Sequence, residues 1–472
     1  MYNNILGDLM DDLNKKYITK KEKWSFAIAG LGQNMAYGMM SSFLLAFYTD
    51  IVFSDALWIV TIIMIIARVW DAINDPIMGS IVDRTRTKWG KCRPYLLAAP
   101  FPIAIFTILI FIAPDFSLPM RVTYAMFTYI MWGMLYTMSD VPFWGLPSTM
   151  TPNAKERADF ISFARVLNGV GAALPFIVME LFKGDSGYTK ESYLYSAISM
   201  ALVGAALFSL AFFNTKERIV PPVEKLSIIE NLKLVRLNKP LLLVLCLGVL
   251  CFGRYIINMC LVYATRDMFT NAPANISMVL MSLAIALGMF PGMVIMPKLF
   301  KKYNYKQIAI GAGTGSFVFQ ILFFVSTIIS GYNYYVALPF LFLAGIPFGM
   351  YNVLTFAIIG DSVDYLEWKT GKRTEGMGFA FQTFMNKLGA AISTGLIPIL
   401  LIVIGYVAPK DRAADYVIPQ LGLLIIFALV PAISMLLSTI PMYYYDFVGE
   451  KKKRILIELQ EIRTKEHRII EG

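Results

Sequence analysis

A run of about 20 mostly apolar residues can cross the hydrocarbon core of a bilayer as a helix. Inside the bilayer the chain must also satisfy its own backbone hydrogen bonds, which leaves few architectures open. This sequence has twelve such runs, at residues 25–49, 56–82, 94–113, 120–146, 159–182, 191–213, 240–265, 273–297, 306–329, 333–359, 376–406 and 416–445. The expected fold class is therefore an all-α membrane protein with twelve transmembrane helices. Composition agrees: 57% of residues are hydrophobic and 16% are charged, where a soluble domain carries roughly 25% charged residues. Several runs exceed the minimum length, which implies tilt or kinks. Pro76, Gly79, Pro142 and Pro147 lie inside them, as membrane bundles tolerate.

The charges between the runs orient the chain. Cations gather in the N-terminal segment (Lys15, Lys16, Lys20, Lys21, Lys23) and after the even-numbered runs (Arg84, Arg86, Lys88, Lys91, Arg93; Lys155, Arg157; Lys298, Lys301, Lys302; Lys369, Lys372, Arg373), then again in KKKR at 451–454. The connections on the other side carry few or none. The positive-inside rule then puts both termini in the cytoplasm. The polar N-terminal segment does not read as a cleavable signal. The longest internal hydrophilic stretch lies between the sixth and seventh runs. It divides the chain into an N-terminal segment 1–24, a six-helix bundle 25–213, a cytoplasmic linker 214–239, a second six-helix bundle 240–446 and a cytoplasmic tail 447–472. Two related bundles of this kind are a transporter layout. The tail reads as a solvated or surface-lying helix.

Other classes find little support. The net charge of +10 sits in loops and tails, with no soluble basic domain that would take a nucleic acid. The one histidine, His467, is in the tail, and the four cysteines lack metal-ligand or disulfide-framework spacing. No cofactor is expected.

Polar residues inside the runs carry the functional signal, because an ionisable group at the centre of a bilayer costs at least about 2.5 kcal/mol. The second run contains Asp71, Asn74 and Asp75, at i, i+3 and i+4 on one helix face. Two carboxylates this close repel unless a cation or proton lies between them. Na⁺, Li⁺ or H⁺ would suit them; pairing with Arg68 on the same helix is the structural alternative. The basic loop that follows, DRTRTKWGKCRP, is either a topogenic anchor or one half of a charge lock. In the second case Arg84 and Arg93 would face Asp361 and Asp364 of GDSVDYLEW.

The fourth run places Thr137, Asp140 and Trp144 on one face. A carboxylate beside an indole plate suits a sugar, whose hydroxyls donate to the one and whose apolar face covers the other. Arg165 in the fifth run calls for a carboxylate, and Asp140 is the natural candidate. Gln33 and Asn34 in the first run, Arg254 in the seventh and Gln382 and Lys387 in the eleventh complete a polar set, outlining a cavity mainly between the first, second, fourth, fifth and eleventh runs.

Together these motifs resemble the glycoside–pentoside–hexuronide:cation symporters, a branch of the major facilitator superfamily typified by bacterial melibiose permease. The resemblance spans about residues 25–446, and its most specific stretch is ARVWDAINDPIMGSIVDRTRTKWGKCRPYLL; WGMLYTMSDVPFW, GDSVDYLEWKTGKRTEG and FQTFMNKLG match in order. It implies the major facilitator fold, a cation site at Asp71, Asn74, Asp75 and Thr137, and sugar contacts at Asp140, Trp144 and Arg165, with Lys387 in the matching lysine position. It also implies a bacterial source and residence in the cell membrane. Two positions depart from the pattern. Gln33-Asn34 stands where melibiose permease has Lys-Asp, and Asn352 stands in place of a late tryptophan. The lost helix-1 carboxylate argues against melibiose and leaves an anionic sugar, such as a glucuronide, and a neutral glycoside both open.

The resulting expectation is a monomeric secondary transporter, not an enzyme, working in a lipid bilayer. It would couple uptake of a glycoside, pentoside or hexuronide to Na⁺ or H⁺ by alternating access. A carrier of a non-sugar amphiphile such as a lysolipid, and a membrane sensor, are the rival readings.

Overall fold

The computed structural model describes residues 16–151, 154–184, 187–218, 236–273, 276–371 and 375–470. Lys15, most of the linker, and Lys372 with Arg373 lie outside them. Described residues form helices and turns, with only isolated bridges of extended backbone. The chain divides into two compact units: Met1–Glu224 with Val407–Arg412, and Lys225–Tyr406 with Ala413–Gly472.

The first unit contains α1 (Lys20–Phe47), α2 (Leu57–Arg84), α3 (Arg93–Ala98), α4 (Pro100–Ile110), α5 (Leu118–Met150), α6 (Ala154–Leu181) and α7 (Lys190–Asn214). A capping box starts α1: Thr19 Oγ1 accepts from the Glu22 amide (3.2 Å), and Glu22 Oε2 accepts from the Thr19 amide (2.9 Å). Satisfying these end groups locally lets a helix begin without tertiary help. α1 is the most enclosed helix of this unit and packs most extensively on α6 and α7. Small residues permit that approach. A Cβ on Gly32 would lie 2.5 Å from the Gly204 carbonyl oxygen, and one on Gly171 would lie 2.2 Å from that of Leu31.

α2 shows how the sequence divides a membrane helix between two solvents. Ile62, Ile65, Ile66, Val69, Ile73, Ile77 and Ile81 form an exposed stripe at helical spacing, 39–57% accessible. In a bilayer that stripe faces lipid at little cost. The face turned away from it carries Asn74 and Met78, both buried, and packs on α5.

The second unit contains a broken helix, α8 (Lys239–Leu250), α9 (Gly253–Met259) and α10 (Leu261–Tyr263). It is followed by α11 (Ser277–Lys302), α12 (Tyr305–Ile329), α13 (Tyr334–Thr370) and α14 (Glu375–Val403). A second interrupted helix, α15 (Gln420–Leu424), α16 (Val430–Leu437) and α17 (Ile440–Tyr443), precedes the tail helix α18 (Gly449–Ile470). Contacts are most extensive between α11 and α13, where Gly288, Gly345 and Gly349 bring backbones together.

Ten described helical stretches are long and apolar enough to cross a membrane. The expected spans 94–113 and 120–146 are the other two. The first falls on the short apolar α4, and the second falls on the 33-residue α5, which contains Pro142 and Pro147. The tail, expected as a solvated or surface-lying helix, forms α18, which packs on α13 with Ile455 and Leu459 buried. Trp368 Nε1 donates to Glu458 (2.8 Å), and Lys452 pairs with Asp361.

Candidate functional site

In the first unit, α2 and α5 lie against each other in matching four-residue steps. Thr137 Oγ1 donates to Asp75 Oδ1 at 3.0 Å. One turn earlier, Gly133 lies beneath Asp71; a Cβ there would be 2.8 Å from Asp71 Oδ1. A helix face that supplies a hydroxyl to one carboxylate and clearance to the other holds both against the same neighbour. Asn74, between them in sequence, is 5% exposed, and its Nδ2 is buried with no hydrogen-bond partner. Arg68 Nη1 lies 3.4 Å from Asp71 Oδ2. Arg68 is thus beside one carboxylate, and the Thr137 hydroxyl is beside the other. Among the described residues no group of three or more His, Cys, Asp or Glu could hold a metal ion. A multi-carboxylate divalent cage is thus absent there.

The residues suggested for sugar recognition in the first unit lie on α1, α5 and α6. Gln33, 4% exposed, donates through Nε2 to Asp140 Oδ1 (3.2 Å) and Ser139 Oγ (3.3 Å), while its Oε1 is buried without a partner. Asn34 instead turns back to the Gly30 carbonyl (3.0 Å). With the Asn168 amide oriented to satisfy both its ends, Asn34 also donates to Asn168 (3.1 Å). Gln33 is therefore the helix-1 residue that reaches Asp140. The Arg165 guanidinium lies over the Trp144 indole, 5.4 Å from its ring centroid. Sequence reasoning missed an aromatic ladder beside this group. Tyr136 stacks on Trp132 (5.0 Å) and on Tyr37 (5.2 Å), and Tyr37 lies within electrostatic reach of Arg68, Asp71 and Asp140. The signal was present: Trp132, Tyr136 and Asp140 recur every four residues along α5.

In the second unit, Arg254 of α9 meets three neutral groups. Nη1 donates to Asn352 Oδ1 (3.3 Å), and Nη2 donates to Tyr255 Oη (2.8 Å) and to Asn386 Oδ1 (2.8 Å). Asn386 adjoins Lys387 and follows the buried Gln382 by one turn of α14. Two of the four residues suggested for a charge lock, Arg93 and Asp361, have partners inside their own units. Arg93 donates through Nη2 to the Phe212 carbonyl (2.8 Å), Asp361 takes Lys452, Asp364 is half-buried on α13 and Arg84 is exposed at the end of α2.

Comparison with known proteins places this arrangement. The family model described as MFS/sugar transport protein matches residues 25–447. The chain belongs to that family. Within it, the chain is a member of the glycoside–pentoside–hexuronide branch. The glucuronide carrier protein homolog of Escherichia coli (strain K12) is 29% identical over 466 residues, covering 94% of this chain and 96% of that protein. The isoprimeverose transporter of Lactiplantibacillus pentosus is 27% identical over 471 residues, covering 96% and 94%. The putative sulfoquinovose importer of Escherichia coli (strain K12) is 28% identical over 451 residues, covering 93% of each. Among solved structures, a D-xylose–proton symporter superposes with a TM-score of 0.64 at 15% identity, covering 93% of this chain and 99% of that one. The inward-open xylose transporter XylE from E. coli also gives 0.64, at 14% identity, covering 93% and 98%. At that identity the likeness establishes the fold, which is that of a major facilitator transporter. This family member is a multi-pass membrane transporter and not an enzyme.

Proposed function

We propose that this protein is a symporter that moves a glycoside into the cell together with one monovalent cation, Na⁺ or H⁺. The observation that carries the reading is the packing of Asp71 and Asp75 on the Gly133–Thr137 face of α5, with Arg68 beside Asp71. A cation bound beside Asp71 and Asp75 would add positive charge next to both carboxylates. Binding it relieves the repulsion between the pair. Thr137 and Asp140 are three residues apart on one face of α5, so the two sites would share that helix. Asp140, Trp144 and Arg165 would hold the sugar, and the unpartnered Gln33 Oε1 would accept one of its hydroxyls. Cation and sugar then raise each other's affinity by the same factor. Relatives named for glucuronide, isoprimeverose and sulfoquinovose support a sugar cargo. The polar Asp140, Trp144 and Arg165 cluster speaks against an amphiphile carrier. We also propose twelve spans, cytoplasmic termini, function as a monomer and residence in a bacterial inner membrane.

The test is uptake into proteoliposomes of labelled α-galactosides, β-glucosides, xylosides and glucuronides, each under an imposed Na⁺ gradient and, separately, an imposed proton gradient. Accumulation of one class under one gradient is expected. Equal equilibration under both gradients would refute coupling, and no uptake of any sugar by correctly inserted protein would refute the cargo.

A further inference from the structure

The break between α8 and α9 is built rather than frayed. Ser434 Oγ accepts from the Gly253 amide (2.8 Å) and donates to the Leu250 carbonyl (2.7 Å), while Ser393 Oγ donates to the Phe252 carbonyl (2.8 Å). Two serines from α16 and α14 thus take over hydrogen bonds that an uninterrupted helix would supply, which is how non-helical backbone survives at membrane depth. Gly253 is required for it: a Cβ there would lie 2.5 Å from the Pro431 Cα. Interrupted helices of this kind recur where transporters hold their cargo.

The residue delivered by the break is Arg254. It lies within the apolar stretch Lys239–Met259, and its Nε is buried without a partner. Its partners come from α9, α13 and α14, and all three are neutral. Among the described residues no carboxylate pairs with it. A guanidinium inside a membrane span that is held from three helices and lacks a counter-charge is costly, and such groups mark ligand sites. The surroundings suit one ligand class. Asn352 and Asn386 face Arg254 through their carbonyl oxygens, so each amide retains an NH₂ donor. Those amide donors, with the guanidinium charge and its remaining Nε–H and Nη1–H, match an oxyanion. We propose that Arg254, with Asn352 and Asn386, is an oxyanion site within the second unit, and that the ligand class it takes is a sugar bearing a carboxylate or sulfonate. The proposal rests on the sugar-transport reading above and narrows its substrate to anionic glycosides.

The experiment compares matched pairs that differ only at C6: p-nitrophenyl β-glucuronide against p-nitrophenyl β-glucoside, the corresponding galacturonide and galactoside, and methyl α-glucoside against its 6-sulfonate. Affinity is measured by competition in proteoliposomes for wild type, Arg254→Lys and Arg254→Gln, with gel filtration as the folding control. In wild type an anionic member should bind roughly 10- to 100-fold more tightly than its neutral partner, the size expected of charge-assisted hydrogen bonds. Arg254→Gln should remove that ratio, and Arg254→Lys, which keeps the charge but not the fork, should fall between. The carboxylate and sulfonate pairs show which oxyanion is preferred. Equal affinities in wild type, or a ratio that survives in Arg254→Gln, would overturn the proposal. Accumulation of neutral glycosides alone would overturn the oxyanion site and leave sugar transport standing. Accumulation of neither class would overturn both.

Discussion

A single carboxylate gathers three amides at the end of the loop between α2 and α3. Glu217, just beyond the end of α7, accepts from three consecutive backbone amides: Lys91 at 3.0 Å, Cys92 at 2.7 Å and Arg93 at 2.9 Å. Those amides open α3, where no earlier carbonyl of the helix can serve them. Gly90, at φ +107°, allows the fit, since a Cβ there would lie 2.5 Å from the Glu217 Cδ. Replacing Glu217 with Ala removes this acceptor from all three amides. A charge-assisted hydrogen bond contributes about 1.5–3 kcal/mol when buried, but water can reach this half-buried site and will recover most of three such bonds. A net local cost of about 2 kcal/mol follows, equivalent to a roughly 30-fold increase in local opening. Two assays read it. Hydrogen exchange should accelerate by that factor in peptides covering 88–96 and stay unchanged in peptides of α11 and α12. The thiol of Cys92, 1% exposed, should become correspondingly more reactive to a maleimide in a Cys246→Ala background. Glu217→Gln, which keeps one acceptor oxygen, should give a smaller increase. Acceleration below about 3-fold at both probes, or the same acceleration throughout the chain, would refute the argument.

Asp75→Asn removes the charge that Thr137 supports, and should abolish accumulation under either gradient while allowing downhill exchange; normal concentrative uptake at wild-type expression would contradict the cation assignment. Gly133→Val fills the clearance beneath Asp71 and should weaken cation dependence at least 10-fold, with Gly133→Ala intermediate, as read from the half-saturating cation concentration. Arg165→Ala, which also strips the cation from the Trp144 face, should raise the apparent sugar Kd by about 10-fold or more, consistent with a cation–π contact of up to ~2 kcal/mol plus lost hydrogen bonds. At the entrance to α6, burial opposes ionisation of Glu156, but hydrogen bonds from Thr151 and the Ile18 and Tyr17 amides prevail and hold its carboxyl below the usual 4.5. A depressed carboxylate stabilises the folded state above the unfolded value and loses that contribution as pH falls through the folded one. Protection at Tyr17 and Ile18, taken relative to intrinsic exchange at each pH, should therefore be high near neutrality and fall below about pH 4.5, and Glu156→Gln should flatten the profile.

Much of the site was readable because membrane burial makes polarity expensive. Asp71, Asn74, Asp75, Thr137 and Asp140 stood out as costly residues at helical spacing, and the structure finds Thr137 on Asp75. Which of two adjacent amides on α1 would serve Asp140 was not readable. Gln33 and Asn34 differ by one position, 100° around a helix, and the choice depends on where α5 and α6 lie. The tail was read as solvated or surface-lying because its charges are plain in sequence. Its two buried residues, Ile455 and Leu459, gain significance only once the end of α13 is beside them. The break at Gly253 left almost no trace, since a glycine in an apolar run is ordinary there, and its cause lies in Ser393 and Ser434, some 140 and 181 residues away.

From its residue order alone, this chain was committed to apolar helices in a bilayer, to two halves about a hydrophilic linker, and to a pair of acidic residues on one face of the second helix. Those properties depend on neighbours within a few turns and on the cost of charge in oil, and both act along the chain. Partner choice depends on distances between helices far apart in sequence. Only packing brought Gly133 under Asp71, turned Gln33 toward Asp140, and surrounded Arg254 with amides rather than carboxylates, because those outcomes are set by which backbones can approach and not by which residues the helices contain.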